Sequence, residues 1–172
     1  MATALLITGT VGAGKTTVAD FAGDLLIEAG VPNAVIDLDW LRRAWPAPPR
    51  DPYNGALTLR NLRAVAANFL AAGAERLVLA GVIESREERL AHEEALGVPL
   101  AVCRVHVDLP LVRRRLRARH ALDPKALDRH LERSGELQSI LDGAGVEDYA
   151  VDGTHGTPEE VAALVLRGWQ TN

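Results

Sequence analysis

One cysteine, Cys103, stands among 172 residues. A lone thiol closes no internal disulfide, so the fold must rest on its core, and a reducing compartment is expected. No apolar run approaches the roughly 20 residues of a membrane-spanning helix. The apolar start, Ala4 to Ile7, is too short for a secretory signal and runs straight into glycines. A soluble cytoplasmic protein is expected. Net positive charge is also missing. The chain carries −4 at neutral pH, which argues against non-specific nucleic-acid or membrane binding as its main task. Repeats, low-complexity tracts and a break between domains are absent. With 48% apolar and 24% charged residues the composition is globular, and residues 1–172 are read as a single domain with its own core.

What the chain does have is an alternation of short apolar runs and amphipathic stretches. Thr3 to Thr8 reads as a buried strand, Lys15 to Ala29 as a helix stopped by Gly30 and Pro32, and Ala34 to Leu38 as a second strand. A short helix over Trp40 to Trp45 precedes the proline-rich loop Pro46 to Pro52. Leu57 to Ala72 is amphipathic, and Arg76 to Ile83 reads as a third strand. The Ser85 to Glu88 capping box opens a helix to Leu96, and Leu100 to Val107 is a fourth strand. Pro110 to His120 is a basic helix, and Asp123-Pro124 starts another toward Leu141. Asp148 to Val151 is a fifth strand. The box at Thr157 to Glu160 opens a last helix expected to bury Val161, Leu164, Val165 and Trp169. The fold class is therefore α/β: a doubly wound, five-stranded parallel sheet with helices on both faces. Ligands in such sheets bind beyond the carboxyl ends of the strands.

The segment Gly9-Thr-Val-Gly-Ala-Gly-Lys-Thr16 matches a phosphate-binding P-loop, and it lies in the required place between an apolar strand and a helix. Glycines let backbone amides approach phosphate oxygens, and the helix start adds unpaired N–H groups and its dipole. Gly9, Val11, Gly12, Ala13, Gly14, Lys15, Thr16 and the adjoining Thr17 form the expected cradle. Lys15 is expected on the β- and γ-phosphates, and the Thr16 hydroxyl on magnesium. ATP with Mg2+ is the expected cofactor pair.

Asp37-Leu-Asp-Trp-Leu-Arg42 follows at the end of the second strand. Beside a triphosphate, Asp37 and Asp39 have two natural tasks: holding magnesium, and orienting or deprotonating an attacking hydroxyl. Arg42 would bind a polar or anionic substrate group. The plainer reading makes Asp39 a helix cap and Arg42 a solvated charge.

In this order of P-loop, acidic motif and basic segment the chain resembles the small P-loop metabolite kinases. These include adenylylsulfate kinase, shikimate and gluconate kinases, and chloramphenicol phosphotransferase. Adenylylsulfate kinases carry an Asp-x-Asp-x-x-Arg motif that Asp37, Asp39 and Arg42 reproduce, and an Arg-x-x-Arg after strand three similar to Arg86 and Arg89. The resemblance implies that Arg86 faces substrate. Ion pairs with Glu87, Glu88 or Glu93 are the alternative for both arginines. It also implies that Arg113 to His120, with five arginines in seven residues up to Arg119, opens a short helical lid over about residues 113–135. Arg115 and Arg119 fit the Arg-x-x-x-Arg spacing that packs on adenine and contacts phosphates, as a planar, permanently charged guanidinium can. Arg133 would close onto phosphate, and the loop Asp152 to His155 would lie against the base. Glu84 either stands in for a Walker B acid or merely precedes the cap at Ser85.

The function implied is phosphoryl transfer from ATP to a hydroxyl of a small metabolite, nucleoside or antibiotic. Lys15, Asp39, Arg119 and Arg133 would be catalytic, with Thr16 and Asp37 on the metal. Arg115, Arg119 and Asp152 would sit on the nucleotide, and Asp37, Asp39, Arg42 and Arg86 on the acceptor. Adenylylsulfate itself is a poor fit, because the long glycine- and aromatic-containing segment those kinases place after strand four is missing. The alternatives are a simple NTPase and a non-catalytic nucleotide-binding regulatory module. A polynucleotide 5′-kinase would need a basic channel that an acidic chain has little room for. The sequence leaves ATP against GTP open, and a monomer against a homodimer.

Overall fold

The computed structural model describes residues 1–171. Five parallel strands, β1 (Thr3–Thr8), β2 (Asn33–Asp37), β3 (Arg76–Ala80), β4 (Leu100–His106) and β5 (Tyr149–Asp152), lie in the order β2-β3-β1-β4-β5. Seven helices connect or follow them: α1 (Lys15–Glu28), α2 (Leu38–Leu41), α3 (Gly55–Ala71), α4 (Arg86–Leu96), α5 (Leu109–Arg119), α6 (Pro124–Ala144) and α7 (Pro158–Thr171). The central strand β1 is nearly all apolar because both its faces are covered. Leu5 and Ile7 join one core with α1, α5 and α7, while Ala4 and Leu6 join the other with α3 and α4. Among the described residues no helix is long and apolar enough to cross a membrane.

The local start signals act as expected. Ser85 Oγ accepts from Glu88 N at 3.1 Å, and Asp123 Oδ1 accepts from Ala126 N at 3.0 Å. At α7 the box is reciprocal: Glu160 N donates to Thr157 Oγ1 and Thr157 N donates to Glu160 Oε2.

Three expectations need correction. The short helix spans Leu38–Leu41, not Trp40 to Trp45, because the Asp37 carboxylate accepts from Asp39 N at 2.8 Å and starts the helix at the strand's last residue. Strand β3 ends at Ala80, three residues early. Its register runs out opposite Ile7 of β1, and Gly81 closes tightly onto the Leu38 side chain. In α7, Leu164 is 41% exposed, and Ala162 joins Val161 and Val165 in the buried stripe. Small Ala162 suits the close packing of α7, while Trp169 is only partly buried against the same core.

The proline-rich segment is an ordered loop. Asn54 Nδ2 donates to the carbonyls of Arg42 and Ala44 at 2.9 and 3.0 Å. The Asp51 carboxylate accepts from Gly55 N and Ala56 N, capping α3.

Candidate active site

The P-loop spans the turn between β1 and α1, where Gly14 takes a left-handed conformation at the helix N-terminus. Gly9 passes so close to β4 that a Cβ there would lie 2.7 Å from the Val105 carbonyl oxygen. That oxygen is backbone and cannot rotate away. Gly9→Ala is therefore expected to cost about 2–3 kcal/mol of stability, read as a lower denaturant midpoint at unchanged slope. An unshifted midpoint would mean that the loop has room to spare.

Lys15 opens α1, and its Nζ donates to the Thr10 carbonyl at 2.9 Å. Burial is the largest influence on this ammonium and holds it down at about 8, from an ordinary 10.5. Asp39 and Asp37 pull it up, and Arg119 pushes it further down. Asp37, Asp39 and Arg119 are thus all near enough to act on the Lys15 charge. A phosphate beside Lys15 favours the protonated form, so nucleotide binding is expected to take up protons near pH 8 to 9, with affinity falling as pH rises through that range. Calorimetry in buffers of different ionisation heat measures the uptake, and Lys15→Met should lack it. The sign for the free protein follows from the lowered folded value. Between about 8 and 10.5 the unfolded chain binds more protons, so stability rises with pH across that window.

Asp37 has two fixed contacts. One carboxylate oxygen caps Asp39 N, and the other accepts from Thr16 Oγ1 at 2.9 Å. Thr16 and Asp37 thus form a hard-oxygen pair of the kind that binds magnesium together with phosphate oxygens and water. Among the described residues no group of three or more His, Cys, Asp or Glu side chains could hold a metal alone, so nucleotide oxygens would have to complete such a shell. Asp39 is exposed and lies 3.5 Å from Arg42 Nε, an ion pair one helical turn along.

The basic segment sits across the P-loop. Val112 and Leu116 of α5 are buried against Gly12, and Arg115 Nη1 reaches the Ala13 carbonyl at 3.5 Å. Arg119 makes no ion pair among the described residues. Arg115 also walls a cavity of about 220 Å³ with Gly14, Thr17, Gly153, Gly156 and Pro158. This is a slot between the P-loop and the β5–α7 loop, sized for part of a nucleotide. The β5–α7 loop is self-tied. Asp152 accepts from Thr154 N and from His155 Nδ1, contacts that hold its carboxyl down at about 2 and raise the His155 imidazole. Asp152 therefore braces the loop, while Gly153 and Gly156 line the slot. A larger open groove of about 440 Å³ runs along edge strand β2; Thr16 and Asp37 border it, but Lys15, Asp39 and Arg119 do not.

Other arginines are placed differently. The Arg133 guanidinium is engaged by Glu84 and by Glu136, the latter at 2.8 Å, and Tyr53 is near enough to act on its charge. Arg89 is a structural tie: it donates to Val146 O, Leu100 O and Asp148 Oδ2. Its partners are therefore not the neighbouring glutamates. Arg86 is exposed on the first turn of α4 and has no ion-pair partner among the described residues. Two residues give no hint of their role in sequence. Thr10 Oγ1 donates to the carbonyl of fully buried Ser134 at 2.6 Å, tying the P-loop to α6. Asn54 fixes the loop after Arg42 by donating to its carbonyl.

Comparison with known proteins agrees with this fold. The chain is similar throughout to the tunicamycin resistance protein of Deinococcus radiodurans (TM-score 0.70, 18% identity, 98% of this chain and 96% of that one). Shikimate kinase from Acinetobacter baumannii, in complex with shikimate, is similar at TM-score 0.64 and 19% identity, over 100% of this chain and 95% of that one. The APS kinase of Mycobacterium tuberculosis, in complex with AMPPNP and APS, is similar at TM-score 0.59 and 21% identity, over 98% of each. Identities this low establish the shared fold. No curated protein matches the sequence significantly. The profile of the adenylylsulphate kinase family matches residues 1–149, taking in the P-loop, the acidic motif and both arginine segments, and the chain belongs to that family of small P-loop kinases.

Proposed function

We propose that the protein is an ATP-dependent phosphotransferase acting on a hydroxyl of a small molecule. The observation that carries this reading is the geometry at the head of α1: Lys15 Nζ lies within the P-loop, donating to the Thr10 carbonyl, and the adjoining Thr16 hydroxyl donates to Asp37 at the end of β2. A cation for the phosphates and the acidic end of β2 thus meet at the carboxyl edge of the sheet, and this supports assigning the exposed Asp39 to the acceptor.

In the proposed reaction the acceptor oxygen attacks the γ-phosphorus. The new O–P bond forms as the bond to the β–γ bridging oxygen breaks, and ADP leaves with that oxygen. Asp39 orients the acceptor hydroxyl and takes its proton. Lys15 and Arg119 stabilise charge on the transferring group. Arg115 holds the nucleotide over the slot beside Gly153. When bound, magnesium supplies charge neutralisation at the phosphates, with Thr16 and Asp37 as its protein ligands. Residues from about 113 to 135 act as the lid, which excludes water once both substrates are in place. Arg133 joins the phosphates only by giving up its carboxylate partners. Arg86 is assigned to the acceptor side, and the cytoplasm is the expected compartment.

The test is ADP release from magnesium-ATP with and without a broad panel of hydroxyl compounds, beside a Lys15→Ala control. Stimulation by one compound class, lost in the control, is the expected result. Release that is indifferent to every compound would replace the reading with a simple NTPase, and binding without release would replace it with a regulatory nucleotide module.

A further inference from the structure

We propose that the groove along β2 holds the body of the acceptor, and that the acceptor is a hydroxyl compound with an apolar body and an amine in preference to an acid; this rests on the phosphotransferase reading. The groove exists because β2 is an edge strand. With no strand beyond it, the space between α1 and α3 stays open, about 440 Å³ in volume, and crosses the strand at Val35 and Ile36. That volume suits a small molecule. Where β2 ends, the groove is lined by Thr16 and Asp37, whose side chains meet at 2.9 Å. These are the residues assigned to magnesium, so a hydroxyl compound lying in the groove reaches the transferring phosphate.

The remaining lining sets the chemistry of the ligand. Trp40, Leu41, Val65 and Phe69 all face the groove. Leu41 and Val65 pack against the core shared by α3 and α4, whereas Trp40 is 68% and Phe69 37% exposed. The Arg43 guanidinium lies over the Trp40 ring at 4.7 Å, which helps to hold the indole in place. An apolar wall with two rings and a few polar groups is the usual make-up of a small-molecule site. No lysine or arginine lines the groove, and its third oxygen-bearing side chain is Asp20. Asp20 is exposed on α1, one turn after Thr16, and makes no ion pair among the described residues. Asp37 is already engaged by Asp39 N and Thr16 Oγ1, so Asp20 is the free anion that an ammonium would match and a carboxylate would meet with repulsion. Covering a phenyl-sized surface is worth about thirtyfold in affinity, and an exposed ion pair about threefold. Apolar contact therefore decides binding, and charge refines it.

The experiment titrates the full chain, saturated with magnesium-AMPPNP, with phenylalaninol, phenylpropanol, phenyllactate and ethanolamine, read by calorimetry and by tryptophan fluorescence. Phenylalaninol should bind about threefold more tightly than phenylpropanol and at least about tenfold more tightly than ethanolamine, with phenyllactate weaker than phenylpropanol. Asp20→Asn should remove the advantage of the amine. Phe69→Ala should weaken both phenyl alcohols about fivefold, and neither variant should change AMPPNP affinity. Trp40→Phe should remove the fluorescence response but not the calorimetric one. Equal binding of phenylalaninol and ethanolamine, or affinities that neither Asp20→Asn nor Phe69→Ala alters, would overturn the inference. ADP release from magnesium-ATP separates this failure from that of the kinase reading. Release stimulated by a hydroxyl compound but insensitive to both groove variants would keep the kinase and overturn the groove. Binding that follows these rules, with release that no hydroxyl compound changes, would keep the groove as a binding site and overturn the phosphotransferase.

Discussion

Lys15→Met is expected to lower kcat/KM for phosphotransfer by about 10³-fold and to leave the fold intact. The ammonium is buried and held at about 8, so the free protein bears the cost of keeping a charge out of water. A phosphate returns that cost, and methionine, of similar length, does not. Two signs should therefore diverge in the variant. The melting temperature without nucleotide should be unchanged or higher, because a desolvated charge has been removed. The shift that ATP produces in wild type should shrink or vanish. A variant that loses activity because it unfolds would show the opposite first sign. One that keeps its ATP-induced shift would remove Lys15 from the phosphate site.

Asp39→Asn should lower kcat by about 10²- to 10⁴-fold, the usual range for a positioned general base. KM for ATP should stay within about threefold, since Thr16 and Asp37 are untouched. Asparagine keeps the shape and remains one turn from Arg42, but it cannot take a proton from the acceptor. The discriminating comparison is Asp37→Asn. Asp37 caps α2 and accepts from Thr16 Oγ1, so its loss should weaken magnesium dependence and stability as well as rate. If the two variants behave alike, the division of labour between the carboxylates is wrong. Full activity in Asp39→Asn with a true acceptor would assign the proton elsewhere.

The parts of this site that could be read from sequence are those encoded within a few residues. The P-loop is one contiguous segment whose glycines, lysine and threonine each have a local job. The capping boxes at Ser85 and Thr157 likewise depend on side chains reaching backbone three residues away. Asp37 shows where this reasoning stops. Its spacing to Asp39 marked both as functional, yet that same spacing caps a helix, so the element begins at Leu38, with Asp37 tied to the backbone and Asp39 left exposed. The fates of the arginines were decided in three dimensions. Arg89 finds Asp148 and Arg133 finds Glu84, partners 59 and 49 residues distant, which no local pattern signals. Thr10 occupies a variable place in the P-loop, and its bond to Ser134 exists only because α6 packs there.

The most direct test of the account follows the label from γ-labelled ATP in the presence of magnesium and a stimulating acceptor. The account predicts label in a small-molecule phosphoester, formed by wild type and lost in both Lys15→Met and Asp39→Asn. Label that appears only as inorganic phosphate, at a rate no acceptor changes, would contradict it.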